Sequence, residues 1–315
     1  MVERAMFAGA FITMAMGMID NVYQLLVLRL ISGAFTGTIS ASISLVSSVL
    51  PGTRMGLGLG LMQVAVFLGM SVGPWIGGMI ADIIGYRLTF IAGGVILLVG
   101  GLLVLIGAKE KFIRPSAESL KQGGSMKTLF AMPGFISLLV VFFIFHFSIN
   151  IAIPILPLFI EEVGHLKTRV ASTTGLLLAV SGATACISAA AIGYLSDRKG
   201  HKKVLVVNLF ITSLMWIAHA LSRNISQLLV VRILFGFAAG GNLPTMNALV
   251  GKLTPKESYG KAYGLMASMT SLGMTLGPLF GGIMASYAGL RWPFVIVSFL
   301  LSFIMIPIIL RLKVQ

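Results

Sequence analysis

Two cations sit where an ionised group is costly. Arg29, in LLVLRLISGAFTG (25–37), and Arg232, in LLVVRILFGFAAG (228–240), each fall inside an apolar run. If those runs cross a bilayer, a guanidinium there costs several kcal/mol unless it is paired or wetted, so each is expected to face an aqueous route. Arg29 is joined at helical spacing by Gly33, Thr36, Gly37, Ser40, Ser44 and Ser47, a small and polar stripe suited to lining such a route. The stripe around Arg232 is weaker. His146 and Asn150, four residues apart, share a face of a helix that runs into Pro154 and Pro157, and a histidine placed there can exchange a proton near neutral pH. All nine acidic residues lie near ends or loops, so no mid-span carboxylate is at hand to carry a proton. His146, His165, His201 and His219 lack metal-ligand spacing, and Cys186 is the single cysteine, which leaves no metal site, no cofactor site and no disulfide framework indicated. A phosphate-binding loop is missing, as is the cluster of His, Asp or Glu that a membrane enzyme requires.

The elements that must position these groups follow from composition. The chain has 315 residues, 57% of them hydrophobic and 10% charged, with a mean hydropathy of +1.00. That is too much apolar surface for a soluble core, and it points to an all-α integral membrane protein. Apolar runs at roughly 5–19, 22–49, 56–80, 88–107, 132–160, 170–192, 204–221, 227–250, 262–286 and 292–310 give about ten spans. The first run follows MVER like a signal peptide but lacks a cleavage site before polar sequence, and it is read as a span. An even number of spans places both termini on one side. Sixteen of the 23 Lys and Arg fall on that side and five on the other, which makes it cytoplasmic. The net charge of +14 is thereby assigned to insertion topology rather than to nucleic acid. Three parts result: an N-terminal bundle (1–107, four spans), a cytoplasmic interdomain loop (108–131) and a C-terminal bundle (132–315, six spans).

An internal repeat ties the two bundles together. A shift of 203 to 204 residues lays Arg29 on Arg232, Gly33 on Gly236, Gly37 on Gly240, Pro51 on Pro255, Gly85 on Gly289, Arg87 on Arg291 and Phe90 on Phe294. GLMQVAVFLGMSVGPWIGG (60–78) falls on GLMASMTSLGMTLGPLFGG (264–282), giving Gly60, Gly69, Gly73, Pro74, Gly77 and Gly78 the same spacing as Gly264, Gly273, Gly277, Pro278, Gly281 and Gly282. Glycine at four-residue intervals lets helices meet backbone to backbone, and proline bends the rod. An even number of spans between partner positions implies parallel repeats about an axis along the membrane normal.

With these residues in place the chain resembles the major facilitator superfamily, and within it the twelve-span drug:proton antiporters. GYLSDRKGHKK (193–203) resembles the superfamily's G-x-L-[AS]-D-R-x-G-[RK]-[RK] signature between two spans. Arg29 with Gly33 and Gly37 resembles the arginine motif of the fourth span, and the glycine-proline pattern resembles the antiporter motif of the fifth. The resemblance implies two pseudo-symmetric helix bundles that export small amphipathic compounds against protons by alternating access. Uptake or exchange of a sugar or organic anion, and an inactive truncated transporter, are the competing readings. The resemblance further implies that Arg29, with Arg232 as its repeat partner, serves coupling, that the glycine-proline elements gate, and that Gly193, Asp197, Arg198 and Gly200 form a cytoplasmic latch against the start of the span near Arg54; His146 and Asn150 join the transport and coupling candidates on their own spacing and chemistry. The partners expected are a small-molecule substrate, protons and the lipid bilayer, for a monomer in the inner membrane. Partners of the spans at 132–160 and 170–192 would fall at negative residue numbers, so the chain is expected to be a fragment beginning at the third span or, failing that, a ten-span variant.

Overall fold

The computed structural model describes residues 2–34, 55–107, 126–166, 168–255 and 258–311. Among the described residues helices follow the apolar runs, that at 22–49 being described only to residue 34: α1 (Val2–Met16), α2 (Val22–Ala34), α3 (Met55–Gly107), a short α4 (Met126–Ala131), α5 (Phe135–Ala152), α6 (Leu156–Gly164), α7 (Val170–Lys199), α8 (His201–Leu221), α9 (Ile225–Ala239), α10 (Asn242–Leu253), α11 (Tyr259–Ala288), α12 (Trp292–Phe303) and α13 (Met305–Arg311). Among the described residues, six stretches are long and apolar enough to cross a membrane: Leu68–Gly107, Phe135–Gly164, Val170–Lys199, His201–Leu221, Ile225–Leu253 and Trp292–Leu310. The first of these would reach about 60 Å, twice a hydrocarbon core of about 30 Å. It is divided at Gly85 (φ 83°, ψ 161°), a conformation that only glycine adopts readily.

By internal contact the chain separates into two units, Met1–Arg114 with Ala171–Leu176, and Pro115–Val170 with Leu177–Gln315. In the first, α1 lies against the second half of α3, where Gly94 faces Met14 and the Ala10 carbonyl without room for a side chain. In the second, α5 lies against α11, and α8 against α9 and α12. The core of this unit is a layer of large apolar side chains including Phe135, Phe159, Trp216 and Phe294, each no more than 2% exposed. Other large apolar side chains, such as Ile187, Leu221, Phe299 and Phe303, point outward, as lipid-facing surface does.

The repeat read in the sequence recurs in backbone geometry. Gly289 (φ 95°, ψ 165°) breaks the chain between α11 and α12 as Gly85 breaks α3. Each is followed two residues on by an arginine that ties down the turn: Arg87 Nη2 lies 3.1 Å from Asp20 Oδ1, and Arg291 Nη1 donates to the Ala220 carbonyl. Paired capping boxes open α2 and α9. Asn21 Oδ1 accepts from the Gln24 amide at 2.9 Å while Gln24 Oε1 accepts from the Asp20 amide at 2.9 Å. Asn224 Oδ1 accepts from the Gln227 amide at 2.8 Å while Gln227 Oε1 accepts from the Arg223 amide at 2.9 Å. Each box satisfies two otherwise unpaired amides at a helix start.

One expectation needs revision. Residues 193–203, read as a loop, are helical except at Gly200, which alone separates α7 from α8 with φ 92° and ψ 128°. Arg198 and Lys199 complement the carbonyl end of α7, and the Gly200 amide still donates to Ser196 O at 3.0 Å, so helix persists until glycine permits the turn.

Candidate functional site

The glycine-proline pattern of α11 builds a close helix contact. Gly273, Gly277 and Gly281 recur every four residues and are buried on one stripe against α5. A Cβ added at Gly273 would lie 2.6 Å from the Phe147 amide nitrogen, and one at Gly277 would lie 2.7 Å from Phe147 O and 2.8 Å from Asn150 Cβ. At Gly281 it would meet the Ile151 carbonyl. Only hydrogen fits at these three positions, and the two backbones touch along residues 143–151. Pro278 sits within the same helix. Gly264 and Gly282 belong to other faces, where a Cβ meets nothing within 4 Å among the described residues.

His146 and Asn150 stand on the α5 segment that this stripe holds. The His146 Nδ1–H donates to Phe142 O at 2.9 Å, with Thr270 Oγ1 of α11 3.4 Å away, and Asn150 Nδ2 donates to His146 O at 2.7 Å. Both side chains are half-buried. The structure therefore brings together two groups that the sequence placed far apart, the polar pair of α5 and the glycine stripe of α11.

The matching stripe of α3 is arranged differently. Gly69 and Gly73 are exposed and Gly77 half-buried, and a Cβ on any of them meets nothing within 4 Å among the described residues. Gly78 is buried against the Ala171 carbonyl, and the Pro74 carbonyl closes on Gly175, both within the first unit. The amide of Ser172 donates to Asp82 Oδ2 at 2.8 Å in the same place. Gly60 lies in α3.

The two arginines also differ. Arg29 is exposed on α2, and the rest of its polar stripe, Thr36 to Ser47, lies outside the described residues. Arg232 is 4% exposed, with its guanidinium carbon 5.9 Å from the Trp216 ring centre and 5.6 Å from that of Phe235. His219 completes the cluster, 5.0 Å from Trp216 and 5.4 Å from Phe235 between ring centres. Sequence reading missed Trp216 and His219. They follow one another at i, i+3 in α8, a spacing that places them on one helix face, but nothing in the sequence aims that face at Arg232.

At the α7–α8 junction Asp197 is exposed, with Oδ1 3.7 Å from His201 Nε2, and His201 Nδ1 lies 3.1 Å from Ser196 Oγ. Arg198 lies over the Tyr194 ring at 4.5 Å, Ser196 Oγ donates to Gly193 O at 2.8 Å, and Lys202 Nζ donates to Ile309 O at 2.8 Å. Arg54, near the expected partner of Asp197, lies outside the described residues. Among the described residues, no group of three or more His, Cys, Asp or Glu is placed to hold a metal ion.

Comparison with known proteins agrees with this architecture. The sequence profile of the Major Facilitator Superfamily matches residues 3–171 and 138–314. The chain is 33% identical over 291 residues to an uncharacterized MFS-type transporter, YuxJ, of Bacillus subtilis (strain 168), covering 90% of this chain and 73% of that one. It is 30% identical over 300 residues to the multi-drug resistance efflux pump PmrA of Streptococcus pneumoniae serotype 4, covering 94% and 75%. To the multidrug resistance protein MdtG of Salmonella newport it is 28% identical over 299 residues, covering 95% and 74%. Among solved structures, a bacterial homologue of the human lysosomal transporter Spinster, inward-facing and unoccupied, superposes with a TM-score of 0.79 at 16% identity, covering 98% of this chain and 81% of that one.

Proposed function

From the premise that this chain belongs to the major facilitator superfamily, a family of multi-pass membrane transporters and not of enzymes, we propose that it exports small amphipathic compounds in exchange for protons. The observation that carries the reading is the seating of His146 and Asn150 on the helix that the Gly273–Gly277–Gly281 stripe holds backbone to backbone. A contact without intervening side chains resists intrusion of water or lipid, yet it can slide or rock as a unit, which suits alternating access better than a fixed pore. A proton-exchanging group beside it gives the motion something to sense. Similarity to one relative named as a multi-drug resistance efflux pump and another named as a multidrug resistance protein supports drug-like substrates.

In this reading Arg29, Arg232, His146 and Asn150 serve transport and coupling, and the glycine-proline elements of α3 and α11 gate. Gly193, Asp197, Arg198 and Gly200 latch the cytoplasmic side. Two bundles alternate about a shared pathway in the inner membrane, with both termini in the cytoplasm. The test is ethidium export from cells expressing the chain. Export should lower dye retention and cease when a protonophore is added, and His146→Ala with Asn150→Ala should abolish it while leaving membrane content unchanged. Export that survives the protonophore would refute proton exchange, and export that survives both substitutions would remove the polar pair from the site.

A further inference from the structure

A second constellation lies between α8, α9 and α12. Trp216, His219 and Arg232 are 2%, 0% and 4% exposed, and each holds a buried nitrogen with no hydrogen-bond partner among the described residues: Trp216 Nε1, His219 Nε2 and Arg232 Nε. Phe235 and Phe294 close the cluster, with Phe294 stacked on Trp216 at 5.9 Å and 6.2 Å from His219 between ring centres. Among the described residues no carboxylate lies within ion-pair distance of Arg232. A buried cation held only by ring faces lacks the compensation that a low-dielectric setting demands, and three orphaned polar atoms in one place add to the deficit.

The chemistry of the orphans defines what would satisfy them. Arg232 Nε–H and Trp216 Nε1–H are donors only. His219 Nδ1 lies 2.7 Å from Met215 O, so Nδ1 carries the hydrogen and Nε2 of the neutral ring presents a lone pair. The complement is a group that accepts twice, donates once and brings a negative charge to the guanidinium. A halide accepts but cannot donate, and a water molecule does both but carries no charge. A carboxylate arriving with one proton meets all three demands once that proton passes to His219 Nε2: the resulting N–H donates back to the carboxylate, which keeps its negative charge beside the guanidinium and accepts from Arg232 and Trp216. We infer that Trp216, His219 and Arg232 form a binding site for a small carboxylic acid, taken up as carboxylate plus one proton.

On α8 His219 is the titratable group at the cluster, with His201, Lys202 and Lys203 at the opposite end of the helix; α9 supplies Arg232, α10 carries Lys252 near its C-terminal end, and α12 begins beside Arg291, whose guanidinium lies over Phe159 and donates to the Ala220 carbonyl. On α6, Glu161 and Glu162 are exposed and do not enter the cluster. Nothing other than the ligand therefore brings negative charge to Arg232 among the described residues.

The inference goes beyond efflux and does not rest on it, because binding is read without transport. The chain has three tryptophans, so Trp75→Phe with Trp292→Phe leaves Trp216 as the sole emitter. The purified protein is titrated with sodium formate against sodium chloride at constant ionic strength. The result expected is a saturable change in Trp216 emission whose half-saturation rises about tenfold for each pH unit above neutrality, as one proton per anion requires. Arg232→Gln should remove the saturable change, and His219→Gln, whose amide donates without titrating, should keep binding but lose its pH dependence. Monodisperse elution verifies the fold of each variant, and the pH series of the protein with Trp216 as sole emitter stands alone should either fail. No saturable change in the folded protein, an unaltered one in Arg232→Gln, or a half-saturation independent of pH would overturn the inference.

Discussion

Gly277→Ala and Gly73→Ala change the same position of the repeat, and the structure assigns them different outcomes. Both residues lie inside helices, so replacing glycine with alanine gains about 0.5–1 kcal/mol of backbone entropy in each case. That gain cancels in the comparison. At Gly277 the new methyl would lie 2.7 Å from Phe147 O and 2.8 Å from Asn150 Cβ, so α5 and α11 must part by several tenths of an ångström to restore ordinary contact. Over-packing of this degree costs about 1–3 kcal/mol. At Gly73 a Cβ meets nothing within 4 Å among the described residues. Gly277→Ala should therefore fall below Gly73→Ala by about 1–3 kcal/mol, or several degrees in the midpoint for loss of monodisperse protein on heating. Heating in detergent followed by fluorescence-detected size exclusion reads the difference directly. Equal midpoints, or a lower one for Gly73→Ala, would refute the assignment of a tight α5–α11 contact.

Three further outcomes follow from particular residues. Gly289→Ala places a side chain at φ 95° and ψ 165° and should destabilise the C-terminal unit by about 1–3 kcal/mol, seen in the same heating assay, whereas Ala288→Gly at the adjoining helix end should cost no more than about 1 kcal/mol. Asn224→Ala removes the acceptor for the Gln227 amide and should cost about 1 kcal/mol, with Asn224→Asp restoring most of it. Asp197→Asn should abolish ethidium export without changing membrane insertion, since the carboxylate is exposed and has no packing role; unchanged export would remove the latch.

What the sequence disclosed was mainly what repeats or what the bilayer forces. The span pattern is set by hydrocarbon thickness, and the duplication is visible because Gly85 and Gly289 must both adopt a conformation that other residues avoid. The stripe Gly273–Gly277–Gly281 was legible as a packing face, although the sequence did not name α5 as its partner. The capping boxes of Asn21 with Gln24 and Asn224 with Gln227 carried a readable spacing that the repeat alignment passed over. The segment 193–203 reads as a loop because of its charged residues, while their order also suits a helix C-terminus, and only Gly200 interrupts it. Arg29 and Arg232 hold matching positions of the repeat, and the weaker polar stripe around Arg232 hinted at a difference without giving its form: α8 turns Trp216 and His219 onto Arg232 while Arg29 is left exposed. Such differences depend on contacts between segments distant in the chain, which spacing along one helix does not encode.

The central claim is a stoichiometric exchange of an amphipathic compound for protons through one pathway. Purified protein in proteoliposomes, acid inside and loaded with a pH-sensitive dye, tests it most directly when ethidium is added outside. The account predicts that ethidium accelerates proton efflux only in liposomes containing the protein, and that the acceleration disappears in His146→Ala with Asn150→Ala. Ethidium entry that leaves the internal pH decaying at its passive rate would contradict it.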